Sequence, residues 1–117
     1  MSKDTLKNIG PEEMLIVSMV RAARAVLGWS QPTLAERSGV SLVALARLES
    51  NAVSPRLSTV SRLKAAIADA GIQVIEGQPS GGFTLQVSGR AVEMAAESAS
   101  RTSGGKDEVG EQAEKSL

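Results

Sequence analysis

The side chains of this chain that could do chemistry are mainly arginines, whose guanidinium groups suit a polyanion. Residues 14–64 carry seven cations against two anions, although the whole chain of 117 residues has 13 of each and no formal net charge. The seven cations are Arg21, Arg24, Arg37, Arg47, Arg56, Arg62 and Lys64. Such an excess indicates an anionic partner, but it also fits an ordinary solvated helix surface. Charge alone leaves both interpretations open.

Side chains for covalent or metal chemistry are scarce. The sequence has no Cys, no His and no Tyr, which excludes disulfides, Cys/His zinc sites and catalysis by thiol or imidazole groups. No nucleophile–base pair, phosphate-binding glycine loop or metal-ligating cluster is evident. We therefore expect that the chain is not an enzyme and uses no cofactor or metal.

Apolar spacing, capping residues and glycines predict the helices that position the arginines. Trp29 and Phe83 are the only aromatic residues, so the core must be aliphatic and Ala-rich, which favours helices. Proline at a first helical position and serine at an N-cap mark helix starts. The predicted helices are Pro11–Leu27, Gln31–Ser38, Leu42–Glu49 and a fourth that Ser58 caps and that runs through Ala70.

After Gly71 the pattern changes from helical to strand-like. Residues 72–76 and 83–87 are short, β-branched and largely alternating, and a loop of sequence GQPSGG separates them. An isolated hairpin is marginal in water, so these strands should pack on the helices or pair with a second copy of the chain. The predicted organisation is a flexible leader (1–10), a helical domain (11–71), a β-strand dimerisation extension (72–88) and a weakly helical to disordered tail (89–117).

The segment from Gln31 to Ser50 has the spacing of two short helices joined by a tight turn. Ala35 is small where the second helix must cross closely, and Gly39 lies where the turn needs a positive φ. The apolar positions that would lock the two helices together are Leu34, Val40, Leu45 and Leu48. This combination is typical of a helix-turn-helix unit. A buried helical hairpin without a DNA role is the alternative.

The chain resembles the phage-repressor/Cro-like (XRE-type) helix-turn-helix family over about residues 14–71. The residues that carry the resemblance are Ser30-Gln31, Leu34-Ala35, Gly39-Val40-Ser41, Leu45 and Leu48-Glu49. The expected fold class is therefore all-α, a compact four-to-five-helix bundle with a helix-turn-helix, a short C-terminal β-strand extension and a disordered tail. The implied function is sequence-specific transcriptional regulation by a homodimeric repressor that reads an inverted-repeat operator in the major groove.

The resemblance also implies roles for individual residues. DNA contacts are expected from Gln31, Ser41, Leu42, Val43, Arg47 and Arg56, and a structural brace from Arg24 with Glu49. Gln31 would bind a phosphate, and Ser41 would bind a phosphate or touch a base edge. Arg56 would reach the backbone, and Arg47 would bind a guanine through two hydrogen bonds. Leu42 and Val43 offer only apolar contact, best suited to thymine methyl groups. The family usually has polar residues there, which leaves room for shape readout or for a protein-binding surface.

Two alternatives remain beside a dedicated repressor. One is the antitoxin of a toxin–antitoxin operon, which would repress its own operon and cover a toxin with the extension or tail. The other is a regulator of this fold that acts by protein–protein interaction, as an anti-activator. The opening MSKDTLKNIG is charged and lacks an apolar stretch, so we expect no signal peptide. The expected location is the cytoplasm, in a bacterial or phage-derived setting, with the protein on the nucleoid when it is bound to DNA and not on a membrane.

Overall fold

Four helices, a β-hairpin and a fifth helix follow one another in a computed structural model of the chain, which describes residues 11–50 and 54–101. The elements are α1 (Pro11–Leu27), α2 (Gln31–Ser38), α3 (Leu42–Glu49), α4 (Leu57–Asp69), β1 (Ile72–Glu76), β2 (Phe83–Val87) and α5 (residues 89–101). This order confirms the predicted helical bundle with a short strand extension. The leader at 1–10 and the tail beyond residue 101 lie outside the described residues. No helix in the described part of the chain is long and apolar enough to cross a membrane.

The starts of α2 and α3 are fixed by serine caps, as predicted. The Thr33 N–H donates to Ser30 Oγ over 3.2 Å, and the Ala44 N–H donates to Ser41 Oγ over 3.1 Å. Each serine thus satisfies a backbone donor that has no partner within its helix. Gly39 lies between the two helices with φ +76°, the left-handed conformation that the turn requires.

The start of α4 differs from the prediction. The helix begins at Leu57, one residue before the expected cap Ser58, and Arg56 is the N-cap with no side-chain capping bond. The reason is that the Val60 N–H already donates to the Arg56 carbonyl over 3.0 Å, so the helical ladder begins one residue earlier. The helix also ends at Asp69, with Ala70 as its C-cap.

The core lies between α1 and the α2–α3 pair and continues along α4. All four predicted locking positions, Leu34, Val40, Leu45 and Leu48, are buried. Trp29 is buried in the connection between α1 and α2, as expected for a core aromatic. Aliphatic packing of this kind fixes how α3 sits on the rest of the bundle.

The hairpin packs on the helices with one face. Its strands are antiparallel, with Ile72 opposite Val87 and Glu76 opposite Phe83. Ile72 belongs to the core, and Phe83 and Leu85 pack against it. The alternating Gln73, Thr84 and Gln86 are exposed on the other face. The strands therefore find their apolar partners within the chain, one of the two expected arrangements.

Helix α5 packs against the ends of α4 and α1. The Ala91 N–H donates to Ser88 Oγ over 3.2 Å, and Ala91 itself is fully buried. Arg90 Nε donates to the Asp69 carbonyl over 2.9 Å, which ties the start of α5 to the end of α4. Farther along, Ser98 is buried near Gly28, at the end of α1. Residues 89–101 are thus a docked helix.

Candidate nucleic-acid interface

Helix α3 presents one face to the core and the other to solvent. Leu45 and Leu48 are buried on the inner face. On the outer face, Leu42 is 45% exposed and Val43 is 66% exposed, and Arg47 is exposed one turn farther along. The spacing of 42, 43 and 47 places these side chains on one side of a helix. An exposed helix face held rigidly from behind is the geometry needed to enter a groove.

Two arginines flank a shallow groove beside α3. The groove is lined by Ala44, Arg47, Leu48, Ser54, Pro55, Arg56 and Thr59. Its lining contains two guanidinium groups, and the Glu13 carboxylate reaches it only at Ser54, whose Oγ lies 3.5 Å from Glu13 Oε2. Arg47 comes from α3 and Arg56 from the N-terminus of α4, so two different elements bring these charges together.

An ion pair between Arg24 and Glu49 ties the end of α3 to α1. Arg24 Nε lies 2.8 Å from Glu49 Oε2, and Arg24 Nη2 lies 2.7 Å from Glu49 Oε1. The remaining guanidinium nitrogen, Nη1, donates to the Trp29 carbonyl over 2.8 Å. The Glu49 side chain is 4% exposed and that of Arg24 is 22% exposed. This two-pronged geometry fixes the orientation of both side chains.

The ion pair sets the charge states of its members. Burial on its own disfavours the Glu49 carboxylate, but hydrogen bonds from Arg24 and Gln31, together with the charges of Arg24 and Arg21, outweigh burial and hold the pKa of Glu49 below its ordinary value. The hydrogen bond to Glu49 raises the pKa of Arg24 in spite of burial. Both groups are charged at neutral pH.

Two further side chains converge on Glu49, and sequence reasoning did not anticipate their contacts. Arg21 Nη2 donates to the Glu49 main-chain carbonyl over 2.6 Å, so it satisfies an acceptor at the C-terminal end of α3. Gln31 Nε2 donates to Glu49 Oε1 over 3.1 Å. The available signal for Arg21 was its position three residues before Arg24, on the same face of α1.

The structure separates the expected DNA-contacting residues into two groups. Leu42, Val43, Arg47 and Arg56 lie exposed on or beside the outer face of α3. Gln31 and Ser41 lie at the N-termini of α2 and α3, where both side chains already make protein hydrogen bonds. An amide nitrogen has two hydrogens and a hydroxyl can both accept and donate, so each retains a donor for a phosphate.

Comparison with known families identifies the core of this arrangement. Residues 20–67 match a family model described as Helix-turn-helix. The match over this segment is consistent with a Cro/XRE-like DNA-binding family. The match runs from within α1 into α4 and stops before the hairpin. No curated protein and no solved structure matched the chain.

In the matched segment, α2 and α3 correspond to the two helices of the motif, and α3 corresponds to the helix that such motifs use for recognition. The family consists of DNA-binding transcriptional regulators rather than enzymes. In this chain, the outer face of α3 carries Leu42, Val43 and Arg47. The Arg24–Glu49 pair and the Arg21 bond hold the far end of that helix.

Proposed function

We propose that this protein is a transcriptional repressor that acts in the cytoplasm as a homodimer on an inverted-repeat operator. The observation that carries the proposal is the recognition helix itself, which is buried and ion-paired on its inner side while Arg47 and two apolar residues project from its outer side. A rigid, exposed helix beside a groove flanked by two arginines suits the major groove of DNA. The domain type supports the same class of function.

The proposed contacts divide between base and backbone. Arg47 has the length and donor geometry to bind a guanine edge through two hydrogen bonds. Gln31 and Ser41 would bind phosphates from the N-termini of α2 and α3, where free backbone N–H groups favour anions. Arg56 would bind a phosphate on the far side of the groove. The protein would then recognise base identity through few polar contacts, and several contacts to the DNA backbone would fix its position on the duplex.

The placement of Arg56 supports a functional role. It is the N-cap of α4 and makes no side-chain capping bond. A cation is unfavourable at the positive end of a helix, and Ser or Asp would cap the helix instead. A residue that lowers local stability in this way is expected where it serves binding.

Dimerisation is proposed through the hairpin. A two-stranded sheet has two edges with unpaired backbone groups, and a second copy can satisfy those of one edge by strand pairing. A two-fold dimer would place two recognition helices about 34 Å apart, matching half-sites roughly ten base pairs apart. Repressor action would follow where such an operator overlaps a promoter.

Selection of binding sites from a randomised duplex pool tests this function. We expect an inverted repeat to be enriched, and Arg47→Ala to relax the preference at one position per half-site, at a cost of about tenfold to a hundredfold in affinity. Arg101→Ala, which removes an exposed arginine of α5, is the matched control and should select the same site. Failure of the intact protein to enrich any sequence would overturn the proposal.

One observation favours a second candidate, a regulator that binds another protein. Leu42 and Val43 form an exposed apolar pair at the start of the recognition helix, and such a pair can anchor a protein partner. The salt dependence of the binding affinity distinguishes the two candidate functions. Binding to DNA through several phosphate contacts weakens steeply between 50 and 200 mM salt, at roughly tenfold or more, whereas an apolar protein contact changes little.

A further inference from the structure

The outer face of α3 has few groups that can hydrogen-bond to a base. Ser41 Oγ accepts the capping hydrogen bond of α3, and Ser50 Oγ donates to the Arg47 carbonyl over 3.1 Å, so part of the hydrogen-bonding capacity of each hydroxyl is already used within the helix. Leu42 and Val43, the most exposed side chains of the first turn, are aliphatic. Within residues 41–50, the side chain equipped for two hydrogen bonds to a base edge is therefore that of Arg47.

We infer that this recognition helix, on the function proposed above, reads 5-methyl groups of pyrimidines in the major groove beside the base pair bound by Arg47. The C5-methyl group of thymine is the apolar feature that the major groove exposes to such side chains. Burying a methyl group against Leu42 or Val43 is favourable because it removes apolar surface from water. The half-site would therefore contain thymines at the positions facing the first turn of α3.

The surroundings of the apolar pair favour DNA over an apolar protein surface as its occupant. Arg47 is four residues beyond Val43 on the same helix, and Arg56 lies across the adjoining groove. An occupant that also meets these two arginines combines apolar spots with negative charge. A thymine-bearing major groove between two phosphate backbones has this combination.

A consequence follows for modified DNA. 5-Methylcytosine carries its methyl group at the same ring position as thymine and differs in its exocyclic amino group, which aliphatic side chains do not read by hydrogen bonding. Binding should therefore respond to cytosine methylation at the same positions. The protein would bind a half-site with 5-methylcytosine more tightly than one with unmodified cytosine.

The test uses the selected operator and fluorescence anisotropy with the intact protein. Each thymine facing α3 is replaced in turn by deoxyuridine, which removes the methyl group and keeps every hydrogen-bonding group. We expect a loss of about threefold to tenfold in affinity per methyl group. The same positions are then made cytosine or 5-methylcytosine, opposite guanine, and the methylated duplex should bind more tightly by a similar factor.

Two variants separate methyl recognition from a general effect on DNA. Leu42→Ala and Val43→Ala change exposed side chains, and either one should shrink the thymine–deoxyuridine difference at its own position. Val92→Ala, which shortens an exposed apolar side chain of α5, should leave that difference intact. Equal affinity for the thymine and deoxyuridine operators would overturn methyl recognition and leave the proposed repressor standing. A protein that selects no operator at all would overturn both.

Discussion

At the scale of single residues, Glu49 joins three elements through one carboxylate. It accepts hydrogen bonds from Arg24 of α1 and Gln31 of α2, while it belongs to α3 itself. Replacing it by Gln removes the charge and leaves the Arg24 guanidinium half-buried without its counter-ion. We expect Glu49→Gln to lower the free energy of unfolding by about 1–3 kcal/mol, measured by urea denaturation at pH 7. Glu36→Gln, at an exposed position of α2, should change it by less than about 0.5 kcal/mol.

The same carboxylate predicts a dependence of stability on pH. The folded state holds the pKa of Glu49 below its ordinary value, which is about 4.3 in an unfolded chain. Below that pH the unfolded chain binds the proton first, so the ion pair's contribution is present above pH 4.3 and is lost as the pH falls through the lower folded pKa. The stability gap between the parent protein and Glu49→Gln should therefore narrow between pH 5 and pH 3. A gap that stays constant over this range would contradict the ion-pair assignment.

Residue-level prediction from sequence succeeded where the cause was local and failed where it was tertiary. Ser30 and Ser41 act on backbone within three residues, so their capping was visible in the sequence. The Arg21 bond to the carbonyl of Glu49 spans 28 residues. It depends on how α1 packs against α3, which no local pattern specifies. The DNA contacts of Gln31 and Arg47 stay predictions.

At the scale of elements, the uncapped start of α4 predicts that a capping residue at position 56 raises the unfolding free energy and lowers the affinity for DNA. Arg56 has φ −73° and ψ 153°, close to Ser41 at φ −66° and ψ 150°, so a serine there has the conformation to cap the helix. Arg56→Ser should raise the free energy of unfolding by about 0.5–1 kcal/mol and weaken DNA binding, with the salt slope reduced by about one. Arg56→Ala, which cannot cap, should weaken binding equally without the gain in stability. Unchanged DNA affinity in both variants would remove Arg56 from the interface.

The junction between α4, the hairpin and α5 depends on Gly71. Its φ is +98°, and a Cβ there would clash first with Ser88 Oγ, which accepts the Ala91 N–H at the start of α5. It would also lie 3.0 Å from the Ala91 nitrogen and 3.2 Å from Arg90 Cβ. Gly71→Ala would add both backbone strain and a clash with α5, so we expect a loss of about 2–4 kcal/mol in unfolding free energy. Gly39→Ala is the matched control, because its φ is +76° but no atom lies within 4 Å of an added Cβ. We expect Gly39→Ala to lower the unfolding free energy by about 1–2 kcal/mol. Equal losses of unfolding free energy in the two variants would show that the start of α5 is not in tight contact with residue 71.

At the scale of the whole molecule, sequence patterning predicted which elements form but not how the last of them docks. The strands at 72–76 and 83–87 were evident from alternation, and the structure has them at those bounds. The Ala-rich composition after Gly89 indicated only a weak helix. Its burial of Ala91 and Ser98 arises from small residues meeting Gly28 and Gly71, a complementarity between segments far apart in the chain. Fold class was thus predictable from local pattern, whereas the docking of α5 on the rest of the bundle was not.

The backbone register of the hairpin indicates which groups a second copy could pair with. The Ser88 N–H donates to the Gly71 carbonyl, and the Gly77 N–H donates to the Gly82 carbonyl, at either end of the ladder. Because hydrogen-bonded and non-bonded pairs alternate in an antiparallel ladder, Phe83, Leu85 and Val87 direct their N–H groups away from β1. Strand β1 follows α4 and is held to it by the Lys64–Glu76 ion pair, so we expect the dimer to form along the outer edge of β2.

Val87→Pro tests this edge. Proline removes the outward N–H of a residue that is 40% exposed, and it retains an extended backbone. A two-fold dimer would lose one hydrogen bond from each copy, two in all at about 1 kcal/mol each. The dimer dissociation constant should therefore rise about thirtyfold in sedimentation equilibrium. Val87→Ala shortens the same side chain but keeps the N–H, and it should leave dimerisation nearly unchanged. Since the two recognition helices act together on an inverted repeat, the proline variant should also lose affinity for the full operator while binding a single half-site as before. Equal dimerisation of the two variants would place the dimer contact elsewhere on the molecule.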